Sequence, residues 1–168
     1  EISRRYDRLA KRYSKQIYEN FWNNLLEYPI TVSEIRKLNL KGKKALDVGC
    51  GSGRYTKILL GRGAKVWGID ASKKMIEIAK QNAKGAQLFV CGAEKTKFKS
   101  GFFDVVFSGL VLEYLNRNKF FSETNRILKN GGVLLFSMHN PYTEMGHRAH
   151  GGKENFFHFK NYFKEGKF

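Results

Sequence analysis

The chain has 168 residues, of which 42% are hydrophobic and 14% aromatic, which suits one folded domain with its own core and excludes a disordered composition. Its formal net charge of +16 suits attraction to polyanions or, more plainly, a Lys-rich solvated surface of the kind enriched in heat-adapted proteins. No apolar run is long enough to cross a membrane, and the charged start EISRRYDRLAKRYSKQ lacks the apolar core of a secretory leader.

Cys50 and Cys91 lie in no CxxC pair and no Cys/His cluster with zinc-site spacing. The expectation is a cytoplasmic, metal-free protein with no membrane insertion. The first residue is Glu, so the natural start is expected upstream.

Residues 3–21 place Tyr6, Leu9, Ala10, Tyr13, Ile17 and Phe21 at helical spacing, with Arg4, Arg8, Arg12 and Lys15 on a neighbouring strip. TVSEIRKLNL predicts a second helix. From Lys44 the pattern alternates: KALDVG reads as a strand, RYTKILLGRG as a short helix ending in glycines, and AKVWGID as the second strand. Ser72 is placed to cap SKKMIEIAKQNA, whose Met75, Ile76 and Ala79 form an inward stripe.

QLFVCG and FDVVFSG read as the third and fourth strands. NKFFSETNRILKN reads as a helix burying Phe120, Phe121, Thr124, Ile127 and Leu128, KNGG as a turn, and VLLFSM as the fifth strand. Strands that are apolar on both faces and alternate with helices imply an α/β fold, a doubly wound and mainly parallel sheet covered on both sides. Ligands of such folds lie at the carboxyl ends of the strands, where the Gly-rich turn GCGSG falls.

A dinucleotide fingerprint needs GxGxxG, but Arg54 stands at the last glycine position and Gly53 comes one residue early. No GK[ST] follows, so a phosphate-cradling Walker loop is excluded as well. Asp47 precedes the glycines, and Asp70 ends the second strand 19 residues after Gly51. A carboxylate there suits a ribose diol, or else caps the helix that begins beyond Ser72.

With these residues in hand, the chain resembles the class I S-adenosylmethionine-dependent methyltransferases over roughly residues 6–137. The resemblance rests on LDVGCGSG, GIDAS, CGAEKTKF, FDVVFSGLVLEYL and RILKNGGVLLFS, five motifs in family order. It implies a Rossmann-like fold with S-adenosyl-L-methionine as cofactor and S-adenosyl-L-homocysteine as product.

The resemblance also implies residue roles. Asp47, Gly49, Cys50 and Gly51 would surround the methionine moiety, and Asp70 would bind the ribose. Ala71 and Met75 would lie near the adenine, with Ala93 and Glu94 at its edge. Ser108 and Leu110 would sit beneath the methionine part. Tyr6 and Tyr13 would belong to a lid, with Arg54 a further donor for the cofactor carboxylate. The chain departs from the family at Gly92, where relatives often carry an acid for the adenine amino group.

By the same resemblance, the single domain 1–168 divides into a helical lid over about 1–40, a cofactor-binding core over about 41–138, and the start of an acceptor-side region at 139–168. The family sheet has seven strands and only five are legible. The chain is therefore expected to be incomplete at its C-terminus, by roughly 60 residues or more.

Methyl transfer from a sulfonium needs alignment more than a base, so no catalytic motif is required. His139 and Tyr114 are the candidate bases, with His147 and His150 behind them. The NPY at 140–142 follows the wrong strand to be the NPPY signature of adenine and glutamine N-methylases. Neither cysteine stands where the RNA cytosine C5-methylases need a nucleophile.

The leading reading is direct methyl transfer to a small-molecule acceptor. The alternatives are an RNA or tRNA methyltransferase, suggested by the positive charge, and a non-catalytic cofactor-binding partner subunit. The oligomeric state is not legible.

Overall fold

The computed structural model describes residues 4, 6–10 and 23–138. Strands β1 (Lys44–Val48), β2 (Lys65–Asp70), β3 (Gln87–Val90), β4 (Phe103–Gly109) and β5 (Leu128–Ser137) form one sheet in the order β3-β2-β1-β4-β5. Every pairing is parallel. Parallel neighbours need crossovers. Helices α2 (Arg54–Gly61), α3 (Lys73–Asn82) and α4 (Arg117–Ile127) supply three of them, and α1 (Tyr28–Lys37) precedes the sheet. Residues 6–10 are also helical.

The central strands β1, β2 and β4 bury both faces, as their apolar runs require, whereas the edge strands β3 and β5 stay partly exposed. On one face Ala45, Val66, Val105 and Phe107 pack with Ile35 of α1 and Leu59 of α2. On the other, Leu46, Val48, Ile69 and Val106 pack with Leu112 and with Phe120 and Ile127 of α4. Each fully buried side chain of this size contributes about 1.5–3 kcal/mol.

Met75, Ile76 and Ala79 form the buried stripe of α3 that their spacing predicts. Its cap is Ser72, whose Oγ accepts from Met75 N at 3.2 Å. Asn116 caps α4 in the same way, its side chain accepting from Lys119 N at 3.2 Å.

Three boundaries differ from the sequence expectation. Helix α1 begins three residues earlier, at Tyr28, with a proline in its first turn, and ends at Lys37. Helix α4 stops at Ile127, because Leu128 is extended and pairs with Phe103. The KNGG segment is therefore an irregularity inside a longer β5, between the Phe103 and Val105 registers, and not a turn ahead of it. Phe121, placed in the inward set by its spacing, is 40% exposed, with its ring 6.1 Å from that of Phe136.

Candidate functional site

The chain leaves β1 in one direction to build β2 and β3, then returns to β4 on the other side. The carboxyl end of β1 is therefore the point where the strand order reverses, the usual place for a ligand crevice. The Gly-rich turn begins there. Gly49 N and Cys50 N both donate to Ile69 O, at 2.8 and 3.0 Å, binding the turn to the end of β2.

Gly49 has φ +68, and a Cβ on it would stand 2.4 Å from Val111 Cγ2, so the loop after β4 presses onto bare backbone. Gly53, with φ +87, faces the Ala79 backbone and the Ala83 methyl, each 3.3 Å from a Cβ placed there. The early third glycine thus serves the packing of α2 against α3.

Asp70 ends β2 at the same rim. Its Oδ2 accepts from Gly51 N at 3.0 Å and its Oδ1 from Ser72 N at 2.8 Å. Burial pushes its pKa up, and these two amide donors pull against that shift. Ser72 Oγ donates in turn to Asp7 Oδ1 at 2.6 Å, and Lys74 N donates to the same oxygen at 3.2 Å. The N-terminal helical residues are thereby fastened to the start of α3. Beside them the rings of Tyr6 and Tyr114 meet edge to face, 5.9 Å apart.

These elements enclose a cavity of about 190 Å³. Gly49 and Gly51 come from the turn after β1, and Asp70, Ala71 and Met75 from the β2–α3 junction. Ala93 follows β3, Leu110 and Tyr114 follow β4, and Tyr6 closes the N-terminal side. A Cβ on Gly51 or Gly92 would meet nothing within 4 Å.

Four of the predicted site residues stand outside this lining. Asp47 is 1% exposed and accepts from Thr56 Oγ1 at 2.6 Å; burial raises its pKa to about 7. Cys50 is buried against Gly68, and burial pushes its thiol pKa up. Glu94 accepts from Asn116 N at 2.7 Å, at the start of α4. Ser108 is fully buried between β1 and β5, its Oγ without a hydrogen-bond partner among the described residues. Arg54 lies away from the cavity too, donating to Asn24 Oδ1 at 2.7 Å and covering the Tyr28 ring. Tyr13, His139, His147 and His150 lie outside the described residues.

The lining also includes Gly92, singled out above as the departure at the adenine edge, and Ser72, Cys91, Gly109, Val111 and Leu115, which sequence reasoning did not name as ligand contacts. All six lie inside the strand-end motifs GIDAS, CGAEKTKF and FDVVFSGLVLEYL, so taking every position of those motifs would have found them. Leu110 has φ +55, uncommon for a branched side chain, and its N–H donates to Ser137 O at 3.0 Å.

The loop after β3 is clamped from behind. Glu123 Oε1 accepts from Thr96 N at 2.7 Å, from Thr96 Oγ1 at 2.6 Å and from Arg126 at 2.6 Å. Arg126 also donates to Phe98 O at 2.9 Å. The Arg126 guanidinium holds the Glu123 carboxyl at a pKa of about 2. One fixed carboxylate, bare glycine backbone and apolar walls suit a ligand with a diol on one side and a flat apolar ring on the other. Among the described residues no group of three His, Cys, Asp or Glu gathers as a metal site.

A family model described as a methyltransferase domain matches residues 46–136. An uncharacterized protein of Methanocaldococcus jannaschii is 35% identical over 99% of this chain and 62% of its own length. The ubiquinone biosynthesis O-methyltransferase of Pelagibacter ubique is 40% identical over 60% of this chain and 44% of its own. The chain thus spans less than two thirds of the length of these relatives. The crystal structure of an S-adenosylmethionine-dependent methyltransferase from Mesorhizobium loti superposes with a TM-score of 0.62 at 27% identity, covering 68% of this chain and 54% of that one.

Proposed function

Because this chain belongs to the methyltransferase-domain family, we propose that it is an S-adenosylmethionine-dependent methyltransferase acting on a small-molecule acceptor. The observation that carries this reading is the Asp70 carboxylate, oriented by Gly51 N and Ser72 N at the rim of the glycine turn. Both oxygens keep lone pairs for a ribose diol. Ala71 and Met75 offer an apolar face to the adenine, and Gly92 leaves its edge without an acidic partner. Gly49 and Gly51 admit the methionine part against bare backbone.

The cofactor brings a methyl group already activated on a sulfonium. This chain's residues hold the donor, orient it and exclude water, which supplies most of what such a transfer needs. Tyr6 and Tyr114 close the cavity on the N-terminal side. Asp47 acts at one remove, by holding Thr56 on α2 and so the helix that follows the turn. Its carboxylate, Cys50 and Ser108 shape the turn and the sheet beneath it, and Glu94 fixes the loop after β3 to α4.

The small-molecule acceptor draws support from likeness to the Pelagibacter O-methyltransferase and from the cavity's apolar walls. The cytoplasmic setting is part of the same proposal, in keeping with the free thiols of Cys50 and Cys91. Among the described residues no helix is long and apolar enough to cross a membrane.

Calorimetry tests the donor site. S-adenosyl-L-homocysteine is expected to bind in the micromolar range and NADH not at all; the reverse outcome overturns the reading. A labelled-methyl screen of metabolite and tRNA fractions tests the acceptor class. Label appearing in tRNA alone would replace the small molecule with a nucleic acid.

A further inference from the structure

One of several basic surfaces of the chain lies where the parallel strands begin, at the end of the sheet remote from the donor cavity. The segment entering β1, residues 36–44, carries Arg36, Lys37, Lys41, Lys43 and Lys44. The segment entering β2 adds Arg62 and Lys65, and the start of β5 adds Lys129. No acid occurs in residues 36–44, 62–65 or 129–132, and every one of these cations except half-buried Lys44 is exposed.

Hydrogen bonds lock the first two of these segments together. Gly42 N donates to Gly63 O and Lys65 N to Lys43 O, each at 2.8 Å, and Arg62 reaches Arg36 O at 3.0 Å. Lys44 and Lys65 are partners in register across β1 and β2. Among the described residues only two of these cations are ion-paired, Lys37 with Glu34 and Lys129 with Asp104. A cleft of about 270 Å³ opens between the end of α1 and the irregular part of β5, with Asn39, Lys43, Lys129 and Gly131 on its walls together with Asp104, whose carboxylate is taken up by Lys129 Nζ and Lys44 N.

We propose that this amino-end face of the sheet binds the phosphate backbone of RNA, independently of the methyl acceptor. A rigid cluster of cations around a polar cleft matches closely spaced phosphates. On this face Val133, 40% exposed at the cleft, is the one exposed large apolar side chain among the described residues of the three segments and the cleft, too little for a wedge into a bilayer. The aromatic ring at this end, Phe102, is covered by Lys44 Nζ at 3.9 Å and gives no free stacking platform. Binding therefore reads charge and spacing, not base sequence.

The test uses the full chain and a fluorescein-labelled oligouridylate in anisotropy titrations at several KCl concentrations. The wild type is expected to bind with a log–log salt slope of about −3 or steeper, since each phosphate contact on a single strand adds roughly −0.7. Lys41→Gln, Lys43→Gln and Lys65→Gln together should weaken binding by about tenfold or more and flatten the slope by about 2. S-adenosyl-L-homocysteine affinity should be unchanged, which shows that the triple variant is folded.

Arg4→Gln with Arg8→Gln should change RNA affinity by less than about twofold. Absence of salt-dependent RNA binding overturns the proposal, as does equal loss in both variants. Binding to phosphatidylserine vesicles without binding to RNA overturns it in favour of a membrane surface.

Discussion

Ser72 donates its hydroxyl hydrogen to Asp7 while accepting the Met75 amide, so one side chain both caps α3 and fastens the N-terminal helical residues over the cavity. The two duties separate by mutation. Ser72→Ala should lower unfolding free energy by about 1 kcal/mol through the lost cap. Asp7→Ala leaves the cap in place, so it should instead raise hydrogen exchange across residues 6–10 and weaken S-adenosyl-L-homocysteine binding. Unchanged exchange in Asp7→Ala would show that the hydrogen bond does not hold the segment.

Asp70→Ala removes the acceptor of two backbone amides and of the proposed ribose contacts. A charged acceptor contributes about 1.5–3 kcal/mol per hydrogen bond, so affinity for S-adenosyl-L-homocysteine should fall by about a hundredfold or more. Calorimetry reads the loss, and circular dichroism separates it from unfolding.

The approach of Val111 to Gly49 makes a third prediction. Gly49→Ala forces a methyl into the valine side chain at a positive φ and should destabilise the protein by about 2–4 kcal/mol. Adding Val111→Ala should recover the steric part and leave the backbone part. A double variant no more stable than Gly49→Ala would show that the clash is not the cause. Denaturant midpoints provide the measurement.

Glu123 should make the fold acid-sensitive in a defined window. Its folded pKa is depressed from 4.5 to about 2, chiefly by Arg126, so its stabilising effect is complete above pH 4.5 and is lost as the pH falls toward 2. Glu123→Gln should flatten the stability curve across that range, and the loop holding Cys91 to Ala93 should loosen first, as read by amide exchange.

Asp47 works in the opposite sense. Burial raises its folded pKa from 3.8 to about 7, so its contribution is greatest below pH 3.8 and declines as the pH rises through 7. Asp47→Asn keeps an acceptor for Thr56 and has no charge to bury. Thermal melts should show the wild type losing stability relative to Asp47→Asn between pH 5 and 8.

The five strands and the parallel class of the sheet were legible because each apolar run is short and bounded and most are followed by a helical period, while the order of the strands in the sheet was not. The junction at Ile127–Leu128 was not legible, since two adjacent apolar residues suit the end of a helix as well as the start of a strand. Only pairing with Phe103 decides between them.

In the site, the place of Gly49, Gly51 and Asp70 on the cavity wall could be read because it follows from strand ends and the turn between them. Glu94 could not, because its carboxylate answers to the Asn116 amide, a partner 22 residues away that no local spacing reveals. Asp7 was hidden for the same reason, since Ser72 is brought beside it only by folding.

The two amides that grip Asp70 have a further consequence. They remove the rotational freedom of its carboxylate when the chain folds, and not when a ligand arrives. A diol reaching this rim meets acceptors that are already aimed, so little entropy is left to lose on binding. A sugar with its hydroxyls differently disposed cannot recruit the carboxylate by turning it. Under the proposed function, selectivity at this point would be set by the fold itself, written into two turns before any ligand is encountered.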